Sequence, residues 1–140
     1  MKNLRFESSQ DLTREQEAII HFLTLKPKCS YVKLGENQVD FKILDQDKIP
    51  VAYVEVKGRN GTMKDAYPLP VSAYKVVKLC KLRLNPIIIW SCLDGIIYGQ
   101  VTKIVGEAKW GGRKQRGNWY ADQELMIYYD KQKGLKEMPF

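Results

Sequence analysis

Residues 51–58 read VAYVEVKG, a run of β-forming residues that turns amphipathic and then breaks at Gly58. Successive side chains of a strand point to opposite faces. Val54 and Val56 therefore share one face, and Tyr53, Glu55 and Lys57 share the other. The segment before it, QVDFKIL, alternates in the same way: Val39, Phe41 and Ile43 against Gln38, Asp40 and Lys42. Upstream, Thr13 and Gln16 have capping-box spacing. The helix they open is expected to run to about Leu25, short of Pro27. Its inward stripe would be Leu12, Gln16, Ile19, Ile20 and Leu23, bordered by Phe22. Strands are predicted over about Tyr31 to Leu34, Gln38 to Leu44 and Ile49 to Lys57, with turn residues at 35–37 and 45–48. Asp45 and Asp47 are read as turn residues only.

Residues 58–71 hold two glycines, two prolines and no periodicity, which predicts a mobile basic loop. Ser72 is the expected N-cap of a helix reaching about Leu84, with Ala73, Val76, Val77, Cys80 and Leu84 as its packed stripe. Lys75, Lys78 and Lys81 recur on another side, either as a solvated face or as phosphate contacts. Ile87 to Leu93 is almost wholly apolar, as suits a strand covered on both faces. Asp94-Gly95 is a hairpin turn, and Ile96 to Ile104 returns. Residues 109–119 are glycine-rich, basic and bracketed by Trp110 and Trp119, and Glu124 to Tyr129 reads as a further strand. The order is helix, three strands, helix, two strands: an α/β sandwich with a mixed central sheet. One domain is expected over residues 1–140, with residues 106–140 as a basic Gly/Trp-rich extension.

Composition narrows the class without deciding it. The chain has 140 residues, 44% apolar and 28% charged, enough for a real core. No apolar run is long enough to span a bilayer, and the first residues lack the core of a secretory signal. Three unpaired cysteines, with Cys80 and Cys92 in apolar context, suggest buried thiols in a reducing, cytoplasmic setting. A single histidine, His21, within an apolar helical run argues against a zinc site or a Ser/His/Asp triad. The formal charge of +7 favours a polyanionic partner, nucleic acid before membrane.

The chemistry concentrates on three side chains. If QVDFKIL and VAYVEVKG pair as a hairpin, Asp40, Glu55 and Lys57 converge. Two carboxylates and an ammonium on a mostly apolar strand pair are costly to bury without partners. Together they suit a hard divalent cation, Mg²⁺ or Mn²⁺, with Asp40 and Glu55 as its carboxylate ligands and Lys57 beside the water to be activated. Glu15 either complements the dipole of the first helix or leans over the sheet toward Asp40. Glu17 points away.

An Asp followed on the next strand by Glu-x-Lys, within an α-β-β-β-α-β order, resembles the PD-(D/E)XK nuclease superfamily. Position 39 carries Val where the strict pattern has Pro. A closer resemblance, to small phage and prophage nuclease-like proteins, runs from Val51 nearly to the end. It rests on Glu55-Val56-Lys57 with Arg59, Tyr67-Pro68, Ser72 with Lys75, Asp94-Gly95, and Gly111-Gly112-Arg113 with Arg116. The resemblance implies a restriction-endonuclease-like sandwich and a Mg²⁺-dependent deoxyribonuclease of phage DNA metabolism, acting in the host cytoplasm. It also implies the Val56 carbonyl as a third metal ligand, and Glu15 joining through water or a second ion. Arg59, Lys75, Lys78, Arg113, Lys114 and Arg116 would take flanking DNA phosphates. Trp110 or Trp119 would stack on a base, if not packed in the core. A homodimer would suit cuts on two strands, though no residue demands one. Two other readings stand beside the enzyme: a DNA-binding or packaging-associated phage protein that keeps the fold without strong catalysis, and a buried ion-pair cluster in an ordinary α/β domain.

Overall fold

The computed structural model describes residues 9–36, 38–112 and 123–140. Along the chain run α1 (Ser9–Leu23), β1 (Ser30–Lys33), β2 (Phe41–Leu44) and β3 (Pro50–Gly58). A 3-10 turn at Met63–Asp65 leads to β4 (Leu69–Ser72), α2 (Ala73–Cys80), β5 (Asn85–Ser91) and β6 (Gly95–Gln100). A second 3-10 turn at Val101–Lys103 precedes β7 (Glu107–Gly112), β8 (Gln123–Tyr129) and β9 (Lys136–Pro139). Six strands form one sheet in the order β1-β2-β3-β5-β6-β9, and β4-β8-β7 form a second. The large sheet is mixed: β3 and β5 are parallel, and its other pairs are antiparallel. The protein is therefore α/β, with two helices packed about a mixed sheet. No helix among the described residues is long and apolar enough to cross a membrane.

Alternation along β3 and β5 divides the core in two. Ala52, Val54 and Val56 join Ile87, Ile89 and Ile96 under Ala18, Ile19 and Phe22 of α1. On the opposite side Ile88, Trp90 and Cys92 pack with Val76 and Leu79 of α2 and with Leu69 and Val71 of β4. Both faces of β5 are thus covered, which is why its sequence is continuously apolar.

Several expectations are corrected. Helix α1 starts at Ser9, so Thr13 lies inside it and the capping-box pattern there does not mark its entry. Its inward face is Ala18, Ile19 and Phe22, while Gln16 is exposed and Ile20 is 54% exposed. The packed positions 18, 19 and 22 are spaced i, i+1 and i+4, which leaves Ile20 to the side of the stripe; the Leu12 side chain lies outside the described residues. Helix α2 ends at Cys80, not Leu84, and Arg83 at φ 59° takes the chain out of helical geometry. It buries Val76 and Leu79 and leaves Val77 and Cys80 exposed. Of the two cysteines expected to be buried, Cys92 alone is.

The 58–71 segment is neither structureless nor loose. Arg59 N–H donates to the Ser91 carbonyl (2.8 Å), Leu93 N–H to Gly61 (2.9 Å), and Met63 N–H to Asp94 Oδ1 (2.9 Å). Its end is strand β4, hidden in the sequence by Pro70 and tolerated because β4 is a sheet edge. Strand β6 stops at Gln100, short of the predicted Ile104. The polar tail was not expected to form β9, which pairs with β6 through its backbone.

Candidate active site

Pairing between β2 and β3 stops at Phe41 opposite Val54. One residue earlier the chain bends at Asp40, and Val39 turns into the α2-side core instead of sharing a face with Phe41. This overturns the continuous alternation expected from Gln38 onward. The bend leaves the Val56 N–H without a backbone partner on β2, and the Asp40 carboxylate takes it, with Oδ2 accepting at 2.8 Å. In a ladder the N–H and C=O of one residue face the same neighbour, so the Val56 carbonyl lies on this edge too. Asp40 is thereby fixed beside β3 just where Glu55 and Lys57 emerge on the α2 side.

Glu55 is 2% exposed. Its Oε2 lies 3.2 Å from Lys75 Nζ on the first turn of α2, and its Oε1 is buried without a hydrogen-bond partner. Burial first, and the Asp40 charge second, raise the Glu55 carboxyl above its ordinary 4.5, with Lys75 and Lys57 opposing. Burial is the largest influence on the Lys75 ammonium and works against it, but the charge and hydrogen bond of Glu55, with the charges of Asp40 and Glu15, together outweigh it and raise that group as well. Both members of the pair hold their protons more firmly than free side chains do.

Around this pair lies a cavity of about 610 Å³ lined by Glu15, Lys33, Glu36, Asp40, Glu55, Val56, Lys57, Tyr74, Lys75 and Lys78, among others. Lys33 Nζ is 2.8 Å from Glu15 Oε1 and 3.7 Å from Asp40 Oδ1, so β1 ties α1 to the site. Sequence reading missed Lys33. Strand pairing carried the signal, since the register of β1 on β2 places Lys33 opposite Phe41 and next to Asp40. Glu15 lines the cavity, whereas Glu17 does not and is exposed.

The other candidate residues lie apart from the cavity or beyond description. Arg59 is not on the cavity wall: its Nη2 donates to the Ala66 carbonyl (2.8 Å), bracing the segment after β3. Trp110 is 70% exposed on β7, against the expectation of core packing. Arg113, Lys114, Arg116 and Trp119 lie outside the described residues. His21 is structural: its Nε2 is 2.9 Å from the Pro139 carbonyl and its ring meets Phe140. Asp45 belongs to its turn, Oδ1 accepting the N–H groups of Asp47 (2.8 Å) and Ile49 (2.9 Å). Asp45→Ala leaves both exposed N–H groups to water, and is expected to lower unfolding free energy by about 0.5–1.5 kcal/mol in urea titrations. Any activity at the cavity should be unaffected, and a parallel loss of activity would contradict the assignment of Asp45 to the turn.

Among the described residues no three His, Cys, Asp or Glu side chains are grouped as a ready metal cage. The donor set nonetheless fits a hard cation that keeps several of its waters: the edge carbonyl of Val56 and two neighbouring carboxylates, one of which, Glu55, has a buried oxygen without a partner. An Asp beside a Glu-x-Lys strand, opening on one cavity, is the arrangement of the PD-(D/E)XK nucleases. Residues 1–134 match the family described as "Phage putative PDDEXK endonuclease", and the chain belongs to that family. No curated protein and no solved structure matches it.

Proposed function

We propose that the protein is a divalent-metal-dependent endonuclease that hydrolyses DNA phosphodiesters on a restriction-endonuclease-like core, in the service of phage DNA metabolism. The observation that carries this reading is the buried, unpartnered Glu55 Oε1 beside Asp40, with Lys57 on the same cavity wall. Asp40, Glu55 and the Val56 carbonyl would hold Mg²⁺ or Mn²⁺, with Glu15 reaching it through water. Such an ion lowers the pKa of bound water and offsets charge on a phosphate. Its charge would add to a wall on which four acids and four lysines balance, within a chain whose formal net charge is +7.

The chain's own groups divide the remaining work. Lys57 donates to the attacking water or to a phosphate oxygen. Lys75 favours the ionised form of Glu55 against its burial, and Lys33 holds Glu15 and Asp40 in place. Lys78 on the rim takes a flanking phosphate. Purified protein with Mg²⁺ or Mn²⁺ is expected to nick plasmid or branched DNA, and EDTA to stop it. One observation favours the alternative of a binder without strong catalysis: both carboxylates already have lysine partners. DNA binding without cutting on any linear, nicked, flapped or branched substrate would decide for it.

A further inference from the structure

The cavity wall carries one group that phosphodiester chemistry does not need. Tyr74, in the first turn of α2, lines the same cavity as Asp40, Glu55 and Lys57, yet the residue is 66% exposed. Its neighbours anchor the helix that carries it. Lys75, the next residue, is held by Glu55, and on the inner face of the helix Val76 and Leu79 are buried. Lys78, one turn on, places its ammonium 5.6 Å from the ring centroid. An aromatic ring thus stands at the cavity mouth on an anchored helix, largely open to solvent, with positive charge on the same side.

From this placement, and resting on the nuclease reading of the site, we infer that Tyr74 is a stacking platform for a nucleobase next to the scissile phosphate. The preferred substrate is then DNA whose bases are unpaired at the cut: single strands, flaps or frayed junctions. Every base offers a π-face, so a tyrosine can hold it without reading its identity. Inside a duplex both faces of each base are covered by neighbours. The ring can reach one only after unstacking, which is easiest for a base already unpaired. Lys78 would hold the adjoining phosphate, which positions the strand without adding sequence preference.

The test uses full-length protein in EDTA, where binding is read without cleavage, and oligonucleotides carrying 2-aminopurine. Single-stranded and flapped DNA should bind with quenched 2-aminopurine fluorescence, and fully paired duplex should bind more weakly and without quenching. Tyr74→Ala should abolish the quenching and weaken single-strand binding by about tenfold, whereas Tyr74→Phe keeps both. Thermal melts of both variants accompany the titrations, so that a loss of folding is told apart from a loss of stacking. Unchanged quenching in Tyr74→Ala, or equal binding and quenching on duplex, overturns the inference. Cleavage assays with Mg²⁺ separate its failure from that of the nuclease reading. A wild type that cuts duplex as fast as single strands, with Tyr74→Ala equally active, keeps the nuclease and removes the platform. A wild type that quenches but never cuts keeps the platform and removes the nuclease.

Discussion

Lys57→Ala is expected to lower the initial rate of DNA cleavage by about 10²- to 10⁴-fold, the range for losing a positioned proton-transfer group. DNA affinity and melting temperature should stay close to wild type. The contrast follows from how the cavity lysines are engaged. Lys33 and Lys75 are each held by a carboxylate, whereas among the described residues no ion pair engages Lys57. Lys57 is near enough to Glu55 to lower its pKa, but it remains available to substrate. Removing it breaks no native pairing, so the loss falls on the reaction. Lys75→Ala should behave differently. Lys75 also holds the Glu55 pKa down, so its removal raises that pKa further and moves the acid limb of the pH–rate profile to higher pH. A Lys57→Ala protein that cuts at the wild-type rate would show that the β3 lysine plays no part in hydrolysis.

The site was more legible in sequence than the architecture around it, because each is written in a different signal. Glu55 and Lys57 interrupt an otherwise apolar strand, and only a cluster with partners makes such an interruption tolerable. Asp40 could be paired with them because a hairpin constrains register. What alternation could not show was the bend at Asp40. It sends Val39 to the opposite core and frees the carboxylate to cap Val56 N–H. Strand β4 was hidden by Pro70, which reads as a strand breaker unless the strand is known to be an edge. Strand β9 carries few apolar residues and is specified by backbone pairing with β6. Lys33 and Tyr74 were not singled out in the sequence for another reason. Exposed lysines and tyrosines are common on strands and helices, and only their shared cavity with Glu55 sets these two apart.

Glu55→Gln should change how stability responds to pH and to metal together. In the folded protein the Glu55 carboxyl is raised above 4.5 by burial first and by Asp40 second, with Lys75 and Lys57 only partly offsetting them. The native state therefore binds this proton more tightly than the unfolded chain does. The resulting stability is fully present below the unfolded value and is lost as pH rises through the folded one. In EDTA the wild-type melting temperature should fall across that window relative to Glu55→Gln, in which the component is absent. A divalent cation binds the ionised carboxyl, so added Mg²⁺ should stabilise the wild type increasingly as pH rises. The gain would approach about 2.7 kcal/mol at a hundred times the dissociation constant. Glu55→Gln should lose that gain, and with it about a hundredfold or more of cleavage, the scale of one missing electrostatic group. Equal Mg²⁺ stabilisation in the two proteins, or none in either, would return Glu55 and Asp40 to the role of a buried ion-pair cluster. Conversely, a metal-dependent gain confined to wild type and growing with pH would tie the unpartnered Oε1 to the cation, because no other described feature of the site couples proton release at Glu55 to ion uptake.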